Sequence, residues 1–292
     1  MKKITTILFG LLFTLSAFGQ YPSTNIYALD MVRLGQDYFK FVNPIFVNSD
    51  NRNGYNNQPY FLDDNTLIVA SQRDKKQTDI YAYDFQKSTV TRMTNTPKVS
   101  EFSPIKIPNK RAFSSICIEE DGKTQRLWSY NIGAPMTRGV LLRDISNVGY
   151  YEWVTANQLA LLIVDQPNRL EITNLNNPKP VRYATNVGRC MKTLSNGDLC
   201  FVHKSENGWK FKRLDIANLD IRTIAPTLTD SEDFAVLPDN TIIMAKGDKL
   251  YKLNADRDKQ WTLVADFKNF NINKITRIAV SDNKIAIVAT SL

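Results

Sequence analysis

Histidine is almost missing from this chain of 292 residues: His203 stands alone. Any chemistry built on imidazole therefore has a single candidate. His203 lies inside the apolar run LCFVHK (199–204), where a packed core histidine is the plain expectation. Cysteine is scarce as well. Cys117, Cys190 and Cys200 are the full set, and an odd count leaves at least one free thiol. Read as a two-residue hairpin, Asn196-Gly197 sets Cys190 opposite His203 and Cys200 opposite Thr193. On that register the thiols of 190 and 200 cannot bridge, and a Cys190–His203 pair has no orienting carboxylate. All three cysteines are expected to act as small buried hydrophobes.

The chain also lacks a Gly-x-Ser-x-Gly elbow, a His-Glu-x-x-His helix and a phosphate-cradling glycine loop. Asp50–Gly54 starts like a calcium loop, but Arg52 occupies a ligand position and Phe61 the twelfth, so the match fails. No basic run exceeds three residues, and the net charge of +8 is spread along the chain. That distribution reads as a solvated surface and not a nucleic-acid track. After residue 19 no apolar stretch is long enough to span a bilayer. No helical periodicity persists beyond a couple of turns, so helix is expected to be nearly absent.

What is present is repetition. A polar turn recurs at Asp64-Asn65, Asn109-Lys110, Ala156-Asn157, Asn196-Gly197, Asp239-Asn240 and Asp282-Asn283. After these turns come the apolar runs LIVAS (67–71), AFSSICI (112–118), LALLIV (159–164), LCFVHK, IIMAK (242–246) and IAIVAT (285–290). Such runs suit strands buried on both faces. Five of the six are followed by a strand of alternating character, such as TDIYAYD (78–84) or WKFKRLD (209–215). The sixth has none, and TNIYALD (24–30) near the other end supplies it. Multi-strand repeats of roughly 40–45 residues are the mark of propeller blades. The expected fold is all-β: a six-bladed β-propeller of four-stranded antiparallel blades. Residues 24–47 and 275–292 form the closing blade, so that no half-built sheet exposes its edges.

Residues 1–19 read as an export signal: Lys2 and Lys3, an apolar stretch, then Ala17-Phe18-Gly19 before the cut. Residues 20–292 then form one propeller domain, expected to be periplasmic or secreted, and a monomer.

One passage, PYFLDDNTLIVASQRDKKQTDIYAYD (59–84), resembles the WD-like repeat of TolB-type propellers. Its matching residues are Pro59, Asp63, Asp64, Ser71, Arg73, Asp74, Asp79, Ile80, Tyr81 and Asp84. Weaker copies occur at 103–116 and 235–254. The resemblance implies an exported, envelope-associated propeller. TolB itself adds an N-terminal α/β domain and works in the Tol–Pal system; this length leaves no span for that domain, so the resemblance is to the propeller.

Propeller geometry brings the residues just before each turn to a central channel. They are Asn57 and Gln58, Glu101 and Ser103, Tyr150 and Glu152, Arg189, Glu232 and Asp233, then Thr276 and Arg277. This mixed ring can hold a ligand at a concave mouth. Equally, it can be an ion network that stabilises closure. The aromatic tracts Tyr27–Phe46 and Gly149–Trp153 are expected to pack blade on blade. The leading expectation is a non-enzymatic binding or scaffold propeller for an envelope protein, peptide or glycan, with no catalytic residue and no cofactor. The alternative is a metal-dependent hydrolase of the lactonase or arylesterase type, with channel calcium on Glu101, Glu232 and Asp233.

Overall fold

The structure, a computed structural model, describes residues 21–35, 37–73, 77–133, 136–258 and 260–290. The expected export segment 1–19 lies outside the described residues, as does Asp74 of the repeat signature.

Among the described residues, twenty-four strands form six antiparallel sheets of four. The N-terminal pair is β1 (Thr24–Arg33) and β2 (Phe39–Phe46). Blade 1 holds β3 (Asn56–Asp63), β4 (Thr66–Ser71), β5 (Asp79–Asp84) and β6 (Thr89–Arg92). Blade 2 holds β7 (Ser100–Lys106), β8 (Ala112–Ile118), β9 (Gln125–Asn131) and β10 (Arg138–Val140). Blade 3 holds β11 (Val148–Trp153), β12 (Gln158–Ile163), β13 (Arg169–Asn174) and β14 (Asn177–Thr185). Blade 4 holds β15 (Val187–Thr193), β16 (Leu199–Ser205), β17 (Gly208–Leu214) and β18 (Ile221–Pro226). Blade 5 holds β19 (Phe234–Val236), β20 (Ile242–Lys246), β21 (Lys249–Leu253) and β22 (Thr262–Asp266). The chain ends with β23 (Ile275–Val280) and β24 (Lys284–Thr290), and a three-residue 3-10 turn at Lys268–Phe270 is the only helical element among the described residues.

The closing sheet runs β2-β1-β24-β23. β1 pairs with β24 from Thr24↔Thr290 to Asp30↔Lys284, and the last pair is also an ion pair at 2.5 Å. Two ends of the chain thus share one sheet, as the repeat count requires.

The apolar runs become the second strand of each blade, and their burial explains their composition. Leu67, Ile68 and Ala70 are fully buried, as are Leu199, Phe201 and Val202. Neighbouring residues on such a strand point to opposite blades, so both must be apolar. The buried side chains form six clusters, one at each junction between blades. At the junction of blade 1 with the closing sheet, Ile26, Ala286 and Val288 meet Leu67 and Val69. The aromatic tracts pack between blades in part: Phe41 meets Phe267 beside blade 5 at 5.3 Å, and Tyr151 and Trp153 lie in the core between blades 2 and 3, but Tyr27 stacks on Phe46 at 5.2 Å within the closing sheet, and Tyr150 faces the channel.

The repeat turns are closed by their own polar side chains. Asp63 accepts from the Asn65 N–H at 2.9 Å, Thr155 from Gln158 at 3.1 Å, and Asp239 from Thr241 at 3.2 Å. One turn differs from expectation. At Asn196-Gly197 the Leu194 N–H donates to the Asp198 carbonyl, and Gly197 has φ 88. The loop therefore holds three residues, with glycine in the left-handed position, and the register moves by one. Cys200 therefore pairs with Lys192, and after a further slip of the ladder between Val187 and Met191 His203 pairs with Val187, so the expected Cys190–His203 apposition is incorrect.

Candidate functional site

The first strand of each blade faces the axis, and five of these six strands carry an irregularity beside it. The ladder breaks between Asn57 and Tyr60, Phe102 and Ile105, Val148 and Tyr150, Val187 and Met191, and Ile275 and Arg277. Gln58 and Ser103 take φ values of 55 and 51 at the first two breaks. A bulge re-aims the side chains next to it and stops pairing locally. Here it turns polar groups of the inner strands toward the channel.

The result is an axial cavity of about 70 Å³ to which every blade contributes, through Gln58, Ser103, Tyr150, Arg189, Asp233 and Arg277 among others. It adjoins a wider chamber of about 270 Å³, and the two share Arg189, Asp233, Arg277 and Ile278. Glu232 and Thr276 line the wider chamber.

Arg277 is the best anchored cation. Its Nη2 donates to the Tyr150 hydroxyl at 2.9 Å, and its Nη1 lies 3.4 Å from Asp233 Oδ2. The other oxygen of Asp233 accepts the Ile278 N–H at 3.0 Å. Arg189 donates from Nη2 to the Thr276 carbonyl at 2.8 Å. Its Nε is 3.7 Å from Glu232 and 3.8 Å from Asp233, and that buried N–H has no hydrogen-bond partner. Glu232 accepts from the Arg189 backbone N–H at 3.2 Å and pairs with Lys204 Nζ at 2.6 Å. Burial alone would raise the Glu232 carboxyl, but the Lys204 hydrogen bond and the Arg189 charge outweigh it and hold it low. Gly188 lies close beside this group: a Cβ there would meet Glu232 Oε2 and Val202 at 3.1 Å.

Glu152 faces Lys192 at 3.5 Å and accepts the Thr193 N–H at 3.4 Å; burial pushes its carboxyl up. Gln58 is held by its neighbours, donating its N–H to Asn57 at 2.8 Å and accepting the Ser103 N–H at 2.9 Å. Asn57 thus positions the ring without lining it.

Glu101 is set apart from the others. It is fully buried, and its carboxylate is claimed by the Thr94 hydroxyl, by Thr96 at 2.5 Å and by Tyr130 at 2.9 Å. That places it between blades 1 and 2, away from Glu232 and Asp233. Among the described residues, no three His, Cys, Asp or Glu side chains are grouped to hold a metal ion.

Lys192 and Lys204 were not legible in sequence. Lys192 comes to the axial cavity only because the β15 ladder slips between Val187 and Met191. Lys204 reaches Glu232 from β16, a second strand, and so lies outside the first-strand spacing. The cysteines are inert. Cys117 lies against the Tyr130 hydroxyl at 3.0 Å, and Cys190 donates to the Phe234 carbonyl at 3.1 Å with its thiol pushed up to about 12 by burial. His203 is pushed down, first by burial and then by Lys212 and Lys210.

No family model matches the chain, and no curated protein sequence matches it. Solved structures do. TolB from Acinetobacter baumannii is similar over 82% of this chain and 65% of its own, at 12% identity and a TM-score of 0.59. A TolB-type protein of Agrobacterium tumefaciens covers 92% of this chain and 98% of its own, at 9% identity and a TM-score of 0.68. A protein assigned to the gluconolactonases covers 90% and 92%, at 9% identity and a TM-score of 0.58. The chain spans 65% of the Acinetobacter TolB, that is, less than two thirds of it. At these identities the likeness is one of architecture: this chain has a TolB-like six-bladed propeller fold.

Proposed function

We propose that the chain is a non-enzymatic binding or scaffold propeller of the bacterial envelope, periplasmic or secreted, that engages a protein, peptide or glycan at the mouth of its channel. The observation that carries this reading is the convergence of Gln58, Tyr150, Arg189, Glu232, Asp233 and Arg277 around the axis, with donors still unclaimed and Glu152 set behind Lys192. A concave site with convergent polar groups is the usual form of a recognition surface. The TolB-like fold supports a protein partner. Export is supported by the leading sequence 1–19 and agrees with the finding that, among the described residues, no helix is long and apolar enough to cross a membrane.

The test is capture from an envelope extract, comparing the wild type with a Glu232→Ala, Asp233→Ala double variant. The reading expects a retained species that the double variant loses. Equal retention by both proteins contradicts it.

Likeness to the gluconolactonase-type propeller favours a second reading, a metal-dependent hydrolase. Channel calcium would then rest on Glu232 and Asp233, since Glu101 is bonded elsewhere. Those two carboxylates already face Lys204, Arg189 and Arg277, which is poor company for a dication. This reading expects a calcium-dependent rise in melting temperature and turnover of lactones or aryl esters. A melting curve indifferent to calcium, with no turnover, dismisses it.

A further inference from the structure

Around the smaller axial cavity positive charge exceeds negative by one, since Asp230, the remaining carboxylate of the wider chamber, is exposed and does not line it. Glu232 is matched by Lys204 at 2.6 Å and Glu152 by Lys192 at 3.5 Å. Asp233 alone is left for both Arg189 and Arg277, at 3.8 and 3.4 Å. Neither distance is that of a charge-assisted hydrogen bond, which closes to about 2.7–2.9 Å.

Donor accounting points the same way. A guanidinium offers five N–H groups. Arg189 places one through its side chain, on the Thr276 carbonyl, and its buried Nε–H has no acceptor. Ser103 is an independent sign. It is 9% exposed, lines the same cavity, and its buried hydroxyl is likewise without a partner. A finished structural network satisfies its buried polar groups. This one leaves a cationic donor and a hydroxyl open at the same place.

What fits is an anion that accepts from several donors and carries one charge. A phosphate dianion would overshoot the single excess charge. A carboxylate matches it, and its two oxygens suit guanidinium donors. We propose that the axial cavity seats a carboxylate group, one oxygen taken by Arg189, the other by Arg277, with the Ser103 hydroxyl as a further donor. The remainder of the ligand extends into the adjoining chamber of about 270 Å³. The carboxylate comes either from the free C terminus of a peptide or from a small free acid. This inference deepens the binding reading and rests on it.

The experiment is calorimetric titration of the purified protein with N-acetyl-glycylglycine, with the same dipeptide as its C-terminal amide, and with acetate. The acid is expected to bind with saturation and the amide roughly tenfold more weakly or not at all, since the amide loses the charge that the arginines need. Acetate competing fully assigns the site to small acids; acetate failing where the dipeptide acid binds assigns it to peptide termini. Either result supports a carboxylate site. Arg189→Gln is expected to weaken the acid by a similar factor. Equal binding of acid and amide, or no binding of the acid up to millimolar concentration, overturns the inference. If that happens while Glu232→Ala, Asp233→Ala still abolishes envelope capture, the carboxylate falls and the binding reading stands. If capture is indifferent too, both fall.

Discussion

Glu101 carries the clearest lesson at the scale of single residues. Spacing put it in the ring, because inner-strand positions recur at the blade period. Spacing does not say which way a side chain turns once a bulge intervenes, and the three hydroxyls of Thr94, Thr96 and Tyr130 were invisible in a linear reading. Tyr150, Arg189, Asp233 and Arg277 line one cavity, three from inner strands and Asp233 from the residue just before β19. The same residue gives a titration test. Burial raises the Glu101 carboxyl above its ordinary 4.5, against the pull of its hydroxyl donors. The native state therefore holds this proton more tightly than the unfolded chain. Its contribution to stability is complete below about 4.5 and is lost as pH rises through the raised value. Glu101→Gln removes that titration while keeping a hydrogen-bonding side chain. Urea unfolding from about pH 4 to about pH 7 should show the variant gaining on the wild type as pH rises. A difference that stays constant across that range speaks against the assignment.

At the scale of elements, apolar runs and turn chemistry were legible and register was not. The second strands are buried on both faces and announce themselves by composition. Asn196-Gly197 signals a turn in either loop length, but two and three residues give opposite faces to everything beyond. That shift, together with the ladder slip between Val187 and Met191, moves Cys190 away from His203. The loop at 48–54, which looked like a failed calcium loop, is instead a polar knot joining the closing sheet to blade 1. Asn51 Nδ2 donates to Asn56 and Ser71, both at 3.1 Å, and to the Gln72 carbonyl at 3.0 Å. Asn56 in turn donates to the Thr24 carbonyl at 3.0 Å. Gly54 sits so close that a Cβ would fall 2.3 Å from Asn51 Oδ1. Gly54→Ala should therefore expel the Asn51 amide and cost about 1–3 kcal/mol, the range for stranding buried hydrogen-bonding groups. Chemical denaturation measures it, and a loss under about 0.5 kcal/mol would mean the knot does not hold the junction. Outer strands meet another requirement. β14, with Pro178, Lys179, Pro180 and Arg182 all exposed, is blunted against pairing with other chains.

For the whole molecule, stability and function both depend on closure of the circle. Each blade buries its faces only against its neighbours, so a missing closing sheet would leave two junctions open at once. Ile26 is fully buried where the N-terminal strand meets blade 1. Ile26→Ala should cost about 2–5 kcal/mol, as deletion of buried methyl groups from a close-packed core does. A loss below about 1 kcal/mol would show that the N-terminal strand is dispensable to the ring. Closure also fixes the distances across the axis, since Arg277 of the closing sheet bonds Tyr150 of blade 3. The axial cluster is thus either a brace for the ring or a seat for something else, and the account holds that it is a seat. Arg189→Gln decides between them, because it leaves Glu232 with Lys204 and Asp233 with Arg277. Its urea midpoint and its capture of envelope material are measured side by side with the wild type. The account predicts an almost unchanged midpoint and lost capture; a lowered midpoint with capture intact would contradict it.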